Sequence, residues 1–177
     1  GNLGDFIAGS GYSVVNVGGN NMLLGDASSG AQDIWLKTYN FSDFTVTGKF
    51  KIGQFTSGIL FDFYFRQRYE AQPYSSTCLI QVKPDPALYQ NGRVSLVCSY
   101  NSWKAYNQYD SKFLQDGNIH TFKISASGNK FEVFIDNIKY HSVTFNDYIN
   151  SGFVGIRTEP GSKVYYDDIV VREFKPA

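Results

Sequence analysis

Asp62, Tyr64 and Arg66 alternate with Phe61, Phe63 and Phe65 in the run from Gly58 to Arg66. Alternation of period two puts one set on each face of a strand. The phenylalanines belong to a core. An acid, a phenol and a guanidinium are left on the other face. Such a row can hydrogen-bond the hydroxyls of a sugar, while aromatic rings stack on its C–H faces. Gln81 adds an amide from a neighbouring apolar run, and Trp35, Tyr39, Trp103 and Tyr106 could supply rings. Each residue also has a structural reading. The row could be a salt-bridge network. Trp35 could cover a sheet edge, and Trp103 could pin its own loop to the body.

Other chemistries find less support. The chain has 16 basic and 16 acidic residues and no polybasic run, so nothing marks it for nucleic acid or an anionic membrane. No apolar run approaches the length needed to cross a bilayer. There is no phosphate-cradling glycine loop and no Cys/His spacing for zinc. His120 and His141 fall at the ends of a hairpin, where a histidine is usually solvated or hydrogen-bonded. Asn40-Phe41-Ser42 matches a glycosylation sequon, a triplet common by chance.

The elements that must position these residues are strands. Ile119 to Ser127 and Phe131 to Tyr140 alternate apolar and polar side chains on either side of a Gly128-Asn129 turn, and Asp136-Asn137 turns the chain again. A meander so apolar on one face needs a second sheet to cover it. Phe44 to Ile52, Cys78 to Lys83, Arg93 to Tyr100, Gly152 to Thr158 and Val164 to Arg172 supply more strands, and residues 100–113 read as a polar-aromatic loop. No segment reads convincingly as a helix. With 177 residues, 42% hydrophobic and 17 glycines, residues 1–177 suit one globular all-β domain: a two-sheet antiparallel β-sandwich of jelly-roll type. In a hairpin pairing Ile80 with Leu96, Cys78 falls opposite Cys98. A cross-strand disulfide, which would suit an oxidising compartment, and two buried free thiols both fit. The chain begins Gly1-Asn2, which fits a processed form or an excised piece of a longer one.

The central hairpin, Ser151-Gly-Phe-Val-Gly-Ile-Arg-Thr158 and Tyr165-Tyr-Asp-Asp-Ile-Val-Val171 together resemble the concanavalin A-like lectin/glucanase superfamily. The likeness is to its laminin-G-like branch and to levan-type carbohydrate-binding modules, from about Leu3 to Val171. It implies a non-catalytic carbohydrate-binding module, extracellular or at the cell surface, that targets a parent enzyme or surface protein to a polysaccharide. The binding residues would be Asp62, Tyr64, Arg66, Gln81, Trp35 and Trp103. Members often carry an Arg just after the Gly-x-x-Phe stretch, where this chain has Asp62, so that contact does not carry over. The resemblance also implies a structural calcium held partly by Asp167, with Asp5 or Asp26 and backbone carbonyls as partners. Asp167 and Asp168 could equally cap the strand or pair with a cation. Two alternatives accompany this reading. One is a laminin-G-like protein-binding adhesion domain. The other is a jelly-roll polysaccharide lyase or glycoside hydrolase, and some relatives act on oxidised disaccharides. Glucanases of the superfamily carry Glu-x-Asp-x-x-Glu on one strand. Glu70, Glu132, Glu159 and Glu173 do not form that motif.

Overall fold

The computed structural model describes residues 6–36, 40–55, 60–67, 77–83, 93–100, 102–108, 116–146 and 150–174. These form fourteen strands, numbered in chain order, and no helix. Sheet A runs β1 (Phe6–Ala8), β4 (Gln32–Leu36), β13 (Phe153–Thr158), β6 (Phe61–Gln67), β7 (Thr77–Lys83), β8 (Arg93–Tyr100), β9 (Ser102–Gln108). Sheet B runs β12 (Ile138–Thr144), β11 (Lys130–Ile135), β10 (Ile119–Ser127), β5 (Phe44–Gln54), β14 (Lys163–Glu173), β3 (Asn20–Asp26), β2 (Tyr12–Val17). All neighbouring strands are antiparallel, as the alternation requires.

The turns form where the sequence signals them. Gly18, Gly19 and Gly128 take positive φ, as do Asp136 and Asn137, which close the two-residue turn between β11 and β12. Positive φ at both central residues twists a tight turn to match its strands. The expected loop over 100–113 is corrected for its middle. Residues 102–108 are β9, paired with β8 from Val94↔Gln108 to Tyr100↔Ser102. Pairing with β9 satisfies the backbone groups on that edge of β8, an outcome that favours pairing despite the polar composition.

The core lies between the sheets and is built of aromatic pairs. Phe50 meets Phe61 with ring centroids 5.1 Å apart, Phe63 meets Phe122 at 5.4 Å, and Phe65 meets Phe131 at 5.6 Å. Burying each such side chain is worth about 1.5–3 kcal/mol, and together they fix which face of each strand turns inward. Polar ties reinforce the stack. His141 Nε2 donates to the Val94 carbonyl at 3.0 Å, joining β12 to β8 across the sandwich. Cys78 and Cys98 are bonded, which resolves the two readings of the thiols in favour of the disulfide.

Candidate functional site

Strand register assembles one polar row across sheet A. Asp33 on β4 pairs with Arg157 on β13, Arg157 with Asp62 on β6, Asp62 with Gln81 on β7, and Gln81 with Ser95 on β8. Directly opposed residues in antiparallel strands project to the same face. Here that is the outer face, away from the phenylalanine core.

The row one step along is apolar. Trp35, Tyr64, Leu79 and Val97 pack together with Phe153. Trp35 stacks on Tyr64, with centroids 5.3 Å apart and planes inclined by 29°. Gly155 lies between them in the sheet, and any side chain there would run into the indole. That glycine is what allows Trp35 to lie flat across β13. The Tyr64 hydroxyl in turn donates to Asp62 Oδ2 at 3.2 Å. Trp35 thus holds the phenol, and the phenol holds the acid.

The charged members are cross-linked. Arg157 Nε donates to Glu159 Oε1 at 2.9 Å, and its Nη1 reaches Asp33 Oδ2 at 3.2 Å. Asp62 has its carboxyl pushed well above the usual range, first by burial, then by the charge of Glu159 and a hydrogen bond with it; Tyr64 and Gln81 pull the other way. Asp62 Oδ1 has no partner of good hydrogen-bond geometry. Asp33 is also raised, chiefly by burial, against the pull of Arg157. Lys83, two residues beyond Gln81, is lowered by burial and by Arg93 nearby.

Accessibility differs along the row. Asp62 and Tyr64 are fully buried at 0% and Trp35 nearly so at 6%. An open face presenting Asp62 and Tyr64 to solvent is therefore corrected. These two form the floor. Asp33, Arg157, Gln81, Lys83 and Arg93 keep partial exposure and form the reachable rim.

Arg66 is a second correction, because it does not share the face of Asp62 and Tyr64. Its φ is 52°, and β6 shifts register against β13 between Tyr64 and Gln67. The irregularity ends the alternation and sends the guanidinium to the core side, 5.0 Å from the Phe131 ring centroid. There it donates to the carbonyl oxygens of Ser42 and Gly128, the latter at 2.6 Å from Nη1. It ties the turn of the central hairpin to β6. A bulge of this kind re-aims a side chain without changing the composition of the strand, so it left no signal in the sequence.

Of the remaining expected residues, Gln81 joins the row. Trp103 pairs with Ser99 on β8, and only its backbone position is described. Tyr106 is exposed at the sheet edge and meets Phe145 edge-on. Tyr39, Glu70 and Asp5 lie outside the described residues. Asp33, Arg157 and Glu159 were not singled out as binding residues. Arg157 was legible as the polar alternate of Val154 and Ile156, but its neighbours come from strands far apart in sequence.

Among the described residues, the carboxylates expected at a calcium have other partners. Asp167 Oδ1 accepts from the Asp168 backbone N–H at 2.9 Å, and Asp168 pairs with Lys49 at 2.5 Å. Asp26 pairs with Lys163, four residues before Asp167 on β14, which is roughly 13 Å along a strand. Among the described residues, no group of three metal-ligating side chains converges.

Comparison with known proteins adds a family. The model of the 3-keto-alpha-glucoside-1,2-lyase-like domain matches residues 7–172. Comparison with curated protein sequences finds no match. Among solved structures, the chain is similar to the carbohydrate binding module CBM66 from Bacillus subtilis, with TM-score 0.71, 14% identity and 96% of each chain covered. It is similar to a Bacillus licheniformis beta-glucanase, with TM-score 0.69 and 10% identity over 98% of this chain and 94% of that one. It is also similar to the exoplasmic/lumenal domain of VIP36 in a Ca2+/Man3GlcNAc-bound form, with TM-score 0.73 and 12% identity over 99% and 86%. At these identities the likeness is one of fold, the concanavalin A-like sandwich.

Proposed function

Because the chain belongs to the 3-keto-alpha-glucoside-1,2-lyase-like domain family, we propose that the outer face of sheet A handles a carbohydrate, and that it does so as a non-catalytic binding module. The observation that carries this reading is the division of the polar row. Its rim of Arg157, Asp33, Gln81, Lys83 and Arg93 stays reachable, while its most perturbed acid, Asp62, is sealed beneath. Guanidinium, carboxylate and amide groups side by side suit the paired hydroxyls of a sugar. An acid that does proton chemistry must come within hydrogen-bond reach of its substrate. Asp62 does not meet that condition. CBM66 being a carbohydrate binding module, and VIP36 being bound to Man3GlcNAc, agree with a glycan partner.

The module would direct a parent enzyme or surface protein to a polysaccharide, raising its local concentration there. The Cys78–Cys98 bond supports an extracellular or cell-surface setting. A structural calcium at Asp167 stays a proposal, and it would need ligands beyond the described side chains.

A second reading is favoured by the family's own name together with the Asp62–Glu159 pair. A 1,2-lyase acting on a 3-keto sugar takes the C2 proton, made acidic by the adjacent carbonyl, and expels the C1 oxygen. Glu159, buried at 8% exposure beside Arg157, would be the base. The deciding experiment sets purified protein against a glycan array, with calcium and with chelator, and against 3-keto-glucosides while enone formation is followed by absorbance. The binding module predicts glycan retention that falls about tenfold in Arg157→Gln, the loss of one charge-assisted contact, and no turnover. Turnover that disappears in Glu159→Gln would replace it with the lyase. Retention of a protein partner and of no glycan would favour an adhesion domain.

A further inference from the structure

The outer face of sheet B holds a pocket of about 290 Å³ that plays no part in the row on sheet A. We propose that it is a second, separate site, for one saccharide unit bearing a carboxylate or a sulfate. Its size falls at the small end of ligand pockets and suits a single ring.

The pocket is built on register. Lys49 opposes Thr121 and Thr47 opposes Lys123 across β5 and β10, and Lys123 opposes Phe134 on β11. Two backbone irregularities form its rim. The Asp136-Asn137 turn, with φ of 50° and 63°, presents Asn137. Asp136 fastens that turn by accepting from the Thr121 N–H and from His120 Nδ1, each at 2.8 Å. On the far side, β14 bulges between Asp167 and Val170 and swings Asp168 to Lys49.

The charges decide the ligand class. Lys49 is neutralised by Asp168, while outside the lining Lys139 and Lys130 share Glu132, at 3.2 and 3.3 Å. Lys123 has no carboxylate partner among the described residues. Its ammonium lies 5.4 Å from the Phe134 ring centroid, a weak contact at an exposed place. The pocket therefore holds one uncompensated positive charge, on a flexible stem, parked over an aromatic ring. Lys139 lies over the same ring at 5.3 Å; an anionic group on a sugar draws the Lys123 ammonium to itself and frees its share of the ring for the C–H face of the same sugar. Thr47, Thr121 and Asn137 are placed to bond its hydroxyls.

The test is affinity electrophoresis of the full chain in gels containing polygalacturonate, dextran sulfate or neutral dextran at one ionic strength. Both polyanions present the shared chemistry, and their two arms separate carboxylate from sulfate. At least one polyanion retards the wild type, and neutral dextran does not. Lys123→Gln weakens that retardation about tenfold, the loss of one charge-assisted bond, and Phe134→Ser weakens it further. Lys123→Gln alters an exposed side chain, so it keeps the test decisive should Phe134→Ser fail to fold. Lys123→Gln leaves unchanged the retention of a neutral glycan that the rim on sheet A holds, which separates this site from sheet A. The proposal is overturned by no retardation in either polyanion, or by wild-type retardation of Lys123→Gln. It is also overturned if Lys130→Gln, an exposed lysine outside the pocket, weakens retardation equally, since bulk charge would then be responsible.

Discussion

Replacing Asp62 by asparagine should make the protein more stable at neutral pH and leave it nearly unchanged in acid. The side chain is fully buried, and its carboxyl is raised by burial and by Glu159. A carboxyl with a raised folded pKa binds protons more tightly in the native chain than in the unfolded one. Stability is then greatest below the unfolded value of about 3.9. It falls as pH climbs to the folded value, and beyond that it stays low. Asparagine is nearly isosteric, keeps an oxygen to accept from Tyr64, and never ionises. Each unit of elevation is worth about 1.4 kcal/mol. At pH 8 the variant should therefore stand higher, relative to wild type, than it does at pH 4. For a chain of 177 residues each 1 kcal/mol of that gain reads as a rise in melting temperature of about 2–4 °C relative to wild type. The assay is paired thermal melts of both proteins from pH 4 to pH 8. Groups common to both cancel in the difference. A difference that stays flat across the range, or a variant less stable at pH 8 than at pH 4 relative to wild type, would refute the buried, proton-hungry Asp62.

Arg66→Met should cost about 3 kcal/mol in denaturant unfolding, since it strands the Ser42 and Gly128 carbonyls that the guanidinium satisfies. Reducing the Cys78–Cys98 bond, whose partners are 20 residues apart, should cost about 3 kcal/mol. A melt with and without reductant reads this as a fall of about 6–12 °C. His141 is held below its usual pKa by burial, so it stays neutral in the native chain where the unfolded chain would protonate. Its contribution is present above about pH 6.5 and is lost as pH falls below that value. Melts of His141→Asn against wild type should converge on acidification from pH 7 to pH 5.

The sequence by itself determined the sandwich, because alternation along a strand is local and binary. Phe61, Phe63 and Phe65 turn inward, as do Phe122, Ile124, Phe131 and Val133, and each could be assigned from its immediate neighbours. The same logic placed Cys78 opposite Cys98, since two residues of known pairing fix the register of a whole hairpin. It failed at Arg66, where one positive φ breaks the alternation. The functional row was only half legible for a related reason. Asp62 and Gln81 could be read, but Asp33, Arg157 and Glu159 join them from strands about 30 and 95 residues away along the chain. Which strands lie side by side is decided by how two whole sheets cover each other's apolar faces. That is a property of all the strands together, and no single segment carries it. Burial follows the same rule: composition marked Tyr64 as fit to touch a sugar, and tertiary packing beneath Trp35 made it the floor.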